Sequence, residues 1–396
     1  MANTTAAKLR RLWLNVHLWI GVGLTVLLIP ISISGGLLVY HDDLDALLNP
    51  QRYAVSGEQV ALPPSVYLAK ATDALAKEPD GMRATGLRFP DEPGKPVQAM
   101  ARAQSNEGGG RPRFLTVFLD PPTGAVLDVM DFRASLFGFL HIFHENLMLP
   151  QFSGRQIVGW AGVGMLVLSL TGIWLWWPRN AGSFRQVLRG LRWTRSSRFT
   201  FNLHNMLGFW IAIPLAVVSL TGIYLSFPQT ARNAMSSIAT MNPQGQRGGF
   251  GDPLPQTALT ADAALAIALA AEPGAKPRSL FLPVQARGGR AAEPSWRLQM
   301  ERVSSGDAVT VTIGDRSGKA SPVVAPQSGD RAASWIRWIH EGSHSGAIWA
   351  AIVFLTGVFP TIFAITGVIM WLRKRAARKT LESKDIRRGA QLRPAE

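Results

Sequence analysis

The chain has 396 residues, 47% of them hydrophobic and only 17% charged, a low charge content for a soluble protein of this length. It has no cysteine, which excludes disulfides, thiolate metal sites, iron–sulfur ligation and the C-x-x-C-H attachment of c-type haem. Its net charge of +15 lies wholly in three segments that together hold 18 Lys/Arg against three acids; this is the positive-inside pattern of a membrane protein, and nucleic-acid binding is rejected.

Residues 1–44 hold a cytoplasmic N-terminus and a first span, about Leu12 to Tyr40, preceded by Lys8, Arg10 and Arg11. The apolar run is too long for a signal peptide and no A-x-A site closes it, so it is expected to stay as a helix running from inside to outside. Residues 45–133 are polar and predict a small periplasmic α+β domain. It has a helix near Pro64 to Ala76, then the alternating stretches MRATGLRF, VQAMARAQ and RFLTVFLD, a tight turn at DPPTG and a return through AVLDV. Residues 134–178 begin with LFGFLHIFHENLML, which carries His141 and His144, break at Pro150 and Gly154, and cross back as a second span from about Arg155 to Trp177.

Residues 179–199 form a short basic cytoplasmic loop, too small for a flavin or nicotinamide domain. Residues 200–228 give the third span and residues 229–332 a second outer α+β domain. Its helix, near Thr260 to Ala271, precedes KPRSLFLP, SWRLQMER and AVTVTIGD, and its turn at Asp315 to Gly318 matches the one at Asp120 to Gly124. Asn242 to Asp252 reads as a loose linker. Residues 333–372 carry IRWIHEGSHSG, with His340 and His344, then a fourth span that RKR ends on the inside; residues 373–396 are a basic cytoplasmic tail.

The chain is therefore read as two tandem repeats of helix, outer domain, helix. His17, Gly21 and Ser34-Gly35 recur as His204, Gly208 and Thr221-Gly222 at a constant offset of 187. Thr171-Gly172 and Trp176 recur as Thr366-Gly367 and Trp371 at 195, and His144 aligns with His340 at 196.

All seven histidines lie in or beside the spans, and the outer domains contain none. Polar side chains inside a bilayer are expensive and generally functional. His17 and His204 lie near the cytoplasmic face. They share a helix face with Gly21 and Gly35, and with Gly208 and Gly222, by the 3.6-residue period. Glycines alone point to close helix packing. Glycines beside matched buried histidines point to b-type haem, held by one imidazole on each side. Symmetry selects His144 and His340 as a second axial pair at the outer face. His141, His344 and His41 are candidates there too, and interfacial polarity explains these three equally well. H-x-x-H and H-x-x-x-H also fit zinc spacing, but no H-E-x-x-H occurs.

HLWIG…ISG, HENLML…GRQIVG…LTGIWLWWP, LHNMLGFW…LTG and IHEGSHSG…ITGVIMWLRK resemble the PepSY-associated transmembrane proteins, also called iron-regulated or iron-uptake membrane proteins. FLDPPTGAVLDV resembles the hairpin of PepSY domains. The resemblance spans nearly the whole chain and is similar in its motifs to bacterial inner-membrane ferric-siderophore reductases. It implies an α-helical membrane protein with two periplasmic PepSY-like domains, two b haems on His17, His204, His144 and His340, and electron transfer to a periplasmic ferric siderophore. Some relatives carry a flavodoxin-reductase-like domain absent here, so a separate cytoplasmic or quinol donor is expected. Two other classes remain: a siderophore or peptide permease without redox chemistry, and a PepSY-type sensor or protease-modulating protein. The first would need polar groups along the spans; the second has no use for paired intramembrane histidines.

Overall fold

The computed structural model describes residues 2–78, 82–102, 113–177, 199–242, 253–284, 293–323 and 325–391. Residues 179–198 of the basic loop and all but the first residue of the expected linker lie outside them. The helices, numbered in chain order, are α1 (Ala2–Val39), α2 (His41–Leu48), α3 (Pro64–Leu75), α4 (Leu136–Asn146) and α5 (Gly154–Trp176). Then come α6 (Phe199–Ser226), α7 (Pro228–Ser236), α8 (Ala261–Ala271), α9 (Ser328–Glu341) and α10 (Gly346–Gln391). The strands are β1 (Arg83–Arg88), β2 (Val97–Arg102), β3 (Phe114–Leu119), β4 (Val126–Asp131), β5 (Ala275–Phe281), β6 (Ser295–Arg302) and β7 (Ala308–Gly314). They form two compact units, one of Met1–Tyr40, Leu140–Arg232 and Ser334–Glu396, the other of His41–Phe139 and Asn233–Ala333.

In the first unit α1, α5, α6 and α10 are each long and apolar enough to cross a membrane. α1 packs on α5 and α10, and α6 packs on the same two, so α1 and α6 stand diagonally. Small residues allow the tightest crossing: a Cβ added to Gly357 on α10 would meet Gly36 Cα at 2.6 Å and the Ser32 carbonyl at 2.7 Å on α1. The buried hydroxyls of Ser34, Ser169, Thr171, Ser219, Thr221, Thr356 and Thr366 each donate to a carbonyl three or four residues back in their own helix. Thus no hydroxyl proton among these seven is left unpaired in an apolar interior. Pro30, Pro214 and Pro360 sit inside α1, α6 and α10, where membrane helices tolerate them.

Two boundaries differ from the sequence reading. α1 starts at Ala2 instead of near Leu12, and α10 continues to Gln391 instead of stopping at RKR. Charge ends the hydrocarbon crossing but not the helix, because Ala, Lys and Arg are strong helix formers. The breaks before the second and fourth spans are present. α4 and α5 are separated by left-handed Leu147, Met148 and Ser153, and α9 and α10 by left-handed Gly342, His344 and Gly346.

The second unit is one antiparallel sheet in the order β4-β3-β2-β1-β5-β6-β7. The two expected α+β domains thus share a sheet, joined where β1 pairs with β5 at Gly86↔Phe281 and Leu87↔Leu280. Glycine is needed at 86, since a Cβ there would run into the Leu280 carbonyl. The alternating strands turn one face to the helices. Tyr67, Ala71 and Leu75 of α3 cover Leu87, Val97, Val117 and Leu119, whereas Ala261, Ala264 and Ala268 of α8 cover Leu280, Trp296, Leu298 and Ile313. Thr260 caps α8 by accepting from the Ala263 amide. The equivalent turns are tied by Asp120, which accepts from the Ser56 amide and hydroxyl, and by Asp315, which accepts from the Ala258 amide and Trp296 Nε1.

Candidate functional site

The four-helix unit brings four of the seven histidines together as two facing pairs. His17 on α1 and His204 on α6 project across the diagonal, with ring centroids 6.4 Å apart. His144 on α4 and His340 on α9 face each other with centroids 6.2 Å apart.

Each ring is tied at Nδ1. His17 Nδ1 lies 2.8 Å from Thr171 Oγ1, and His204 Nδ1 lies 2.8 Å from Thr366 Oγ1. The Thr171 hydroxyl proton is committed to the Val167 carbonyl at 2.7 Å, and that of Thr366 to the Ile362 carbonyl at 2.7 Å. Each threonine oxygen can therefore only accept, and Nδ1 carries the ring proton. At the other pair the acceptors are backbone carbonyls: His144 Nδ1 donates to Ile31 O at 2.9 Å and His340 Nδ1 to Val218 O at 3.0 Å. Among the described residues no Nε2 of the four has a hydrogen-bond partner. With Nδ1–H donating, Nε2 keeps its lone pair, the arrangement of a metal-ligating imidazole. Burial, and then the neighbouring His144, lowers the His340 pKa to about 4; burial also lowers that of His144. Both rings on these two helices, which precede the spans, are neutral at pH 7.

Glycines seat the rings. A Cβ at Gly35 would lie 2.5 Å from His144 Cε1, and one at Gly222 would lie 2.9 Å from His340 Cε1. Gly35 and Gly222 therefore serve the outer histidines, whereas the sequence reading set them on the face of His17 and His204. Gly21 and Gly208, one turn beyond His17 and His204, face open space: a Cβ would meet only Leu168 at 3.7 Å in the first case and no heavy atom within 4 Å in the second. Glycine in a helix interior is unfavourable by roughly 1 kcal/mol relative to alanine. Gly208 has no described atom in front of it and Gly21 only a leucine methyl at van der Waals distance, which leaves room on the helix faces beside the inner pair.

The remaining histidines lie apart from the pairs. His41 starts α2, with Nε2 3.2 Å from Asp42 and its ring against Phe137. His141 is exposed and faces Glu145 across 4.0 Å. His344 lies in the turn between α9 and α10 and packs on Trp338 at 4.5 Å between centroids. Sequence reasoning aligned Thr171-Gly172 with Thr366-Gly367 but gave them no role; their shared offset of 195 was the signal. The acceptors Ile31 O and Val218 O are backbone atoms and leave no trace in residue identity.

Four membrane-crossing helices with paired interior histidines, together with a seven-stranded α+β unit, define a multi-pass membrane protein of a specific kind. Residues 14–374 match the family model of the PepSY-associated TM region, and the chain belongs to that family. No curated protein matches it.

Proposed function

We propose that this protein is a di-haem b cytochrome of the bacterial inner membrane that reduces Fe(III)-siderophore in the periplasm and releases Fe(II). The observation that carries this reading is the pair of facing imidazole sets, 6.4 and 6.2 Å between centroids, with Nδ1 tied off in all four. A metal bonded to two imidazoles at ~2.0–2.1 Å holds their ring centres about 6.3 Å apart. Each pair would supply two imidazole nitrogens and, among the described residues, no third protein ligand, a donor set that suits a haem iron. The open faces of Gly21 and Gly208 support the same fit.

When bound, haem supplies a one-electron Fe(III)/Fe(II) couple. The chain's own part is to hold that couple in place. His17 and His204 would ligate the inner iron, and His144 and His340 the outer one. The apolar helices keep water away, and no protein acid or base is needed at the siderophore iron. His17 and Ile31, the level of His144, are 14 residues apart on α1, or ~21 Å. That spacing fits two sites within a ~30 Å hydrocarbon core. The positive-inside distribution supports cytoplasmic termini and basic loop and periplasmic placement of the sheet unit, and the constant residue offsets support two tandem repeats. Hydroxamate-type oxygen donors match Fe(III) better than Fe(II), so reduction alone loosens the metal. The donor is a separate cytoplasmic reductant or quinol.

The test is a visible spectrum and haem assay of the purified full chain, followed by mixing the dithionite-reduced protein with a ferric siderophore. Two haems per chain and reoxidation by the siderophore are expected. A protein that takes up no haem, or a reduced form that the siderophore leaves unchanged, refutes the reading.

A further inference from the structure

Every one of the four histidines meets a hydroxyl residue followed directly by glycine on the helix it faces: His17 meets Thr171-Gly172, His204 meets Thr366-Gly367, His144 meets Ser34-Gly35 and His340 meets Thr221-Gly222. The same dipeptide does two different jobs. At His17 and His204 the hydroxyl oxygen is the nearest acceptor, at 2.8 Å in both cases, with the Leu168 carbonyl beside it at His17. At His144 and His340 the hydroxyls stand further off, at 3.5 and 3.2 Å, and the nearer oxygen is a helix carbonyl. There the Ser34 and Thr221 hydroxyls donate to those same carbonyls, Ile31 O at 2.9 Å and Val218 O at 3.0 Å. Orientation of the inner rings therefore depends first on a side chain, and orientation of the outer rings first on the backbone.

We propose that Thr171 and Thr366 are positioning residues of the inner site, which fix the Nδ1–H tautomer and ring plane of His17 and His204 and so hold down the potential of the iron they ligate. The outer site draws the same control from Ile31 O and Val218 O, beyond the reach of side-chain substitution. This rests on the two-haem reading above. Donation from Nδ1–H to an oxygen raises the electron density and basicity of the ring, which favours the oxidised iron. Without the acceptor, the ring loses both its anchor and that polarisation. Outer-shell partners of ligating histidines are typically worth ~10–100-fold in metal affinity.

The experiment is a potentiometric titration of the purified full chain, followed by visible absorption, with haem counted in parallel. The inner component is assigned as the one missing in His17→Ala. Thr171→Val and Thr366→Val keep the side-chain shape and remove the acceptor. Each should raise the inner midpoint by a change of about tenfold in the one-electron equilibrium, about 59 mV, or lower inner haem occupancy, while the outer component stays in place. Thr171→Ser and Thr366→Ser should restore wild-type behaviour, and Ser34→Ala should move the outer midpoint far less. An unchanged inner midpoint and full haem content in the Thr171→Val, Thr366→Val double variant overturns the proposal. So does loss of both haems, because a hydroxyl that acts only on the inner site spares the outer one. If the wild-type chain binds no haem, it is the underlying reading that fails.

Discussion

If the protein holds the two haems proposed above, Gly35→Ala should cost it the outer one while leaving the helix bundle as stable as before or more so. The added Cβ would sit 2.5 Å from His144 Cε1 and 2.9 Å from Nδ1. Ordinary carbon–carbon contact is ~3.5–4.0 Å, so the ring must withdraw by about 1 Å. It cannot do so in place, because Nδ1 is held 2.9 Å from Ile31 O; a retreat of about 1 Å takes that distance past hydrogen-bonding range. Ligand geometry tolerates only about 0.5 Å of such drift. The same substitution on the other three seats gives a graded series. At Gly222 the clash is milder, 2.9 Å from His340 Cε1, and the ring must yield by roughly 0.6 Å or more. At Gly172 and Gly367 the Cβ would stand 3.6 and 3.9 Å from His17 and His204 Cε1, which is normal contact. Alanine for glycine in a helix favours the helix by roughly 0.8–1.0 kcal/mol. Folding and haem content should therefore move in opposite directions. The assay is pyridine-haemochrome stoichiometry alongside thermal unfolding of the detergent-solubilised protein. Gly35→Ala should hold one haem, Gly222→Ala should bind the outer haem weakly, and Gly172→Ala and Gly367→Ala should hold two. Two tightly bound haems in Gly35→Ala would refute the assignment of His144 as an axial ligand.

Arg52 is 6% exposed and donates to both oxygens of Asp45, at 2.7 and 2.8 Å, and to Asp128 at 2.9 Å. Arg52→Ala strands two partly buried carboxylates and should destabilise the sheet unit by about 3–5 kcal/mol; hydrogen exchange of the β3 and β4 amides reads this out, and unchanged protection contradicts it. Desolvation pushes the Asp120 pKa up, but bonds from Ser56 and Thr123 outweigh it and hold the carboxyl below the usual range. A depressed folded-state pKa means stability that is present above the unfolded value of ~3.9 and is lost as the pH falls through the folded one. Asp120→Asn should accordingly lose about 1.5–3 kcal/mol at pH 7 and flatten the acid limb of the stability profile; a wild-type acid limb in the variant would place that dependence elsewhere. Gly357→Val, which thrusts a side chain into Gly36 and Ser32, should prevent recovery of folded protein, whereas Gly36→Ala meets its neighbours only at 3.3 Å and should survive with a lowered melting temperature. Equal size-exclusion behaviour of the two variants would mean that the α1–α10 crossing is not a tight one.

The spans, the breaks at Pro150 and Gly154, and most strands were legible because each rests on local periodicity: apolar runs of bilayer length, strict alternation, and turn residues at DPPTG and DRSG. What lay hidden was relational. A spacing of 18 residues puts His17 and Gly35 on one face of α1, and that much is correct geometry. Yet one face of a long helix serves different neighbours at different heights, and at the level of Gly35 the neighbour is the His144 ring. Helical phase records direction but not depth, so it could not separate a glycine that opens space near its own histidine from one that seats a histidine of another helix. The sharing of one sheet by both α+β segments was hidden for a related reason. Nothing in GLRF or SLFL marks an edge as paired, and only the bare Gly86 opposite the Leu280 carbonyl makes that approach possible. The offsets of 187, 195 and 196 carried more than either pattern. They matched residues across the two halves, and the structure brings His17 opposite His204 and His144 opposite His340. The residues that those offsets match stand ring to ring in both pairs, 6.4 and 6.2 Å between centroids. That is why alignment of the chain with itself found partners that helical phase alone did not.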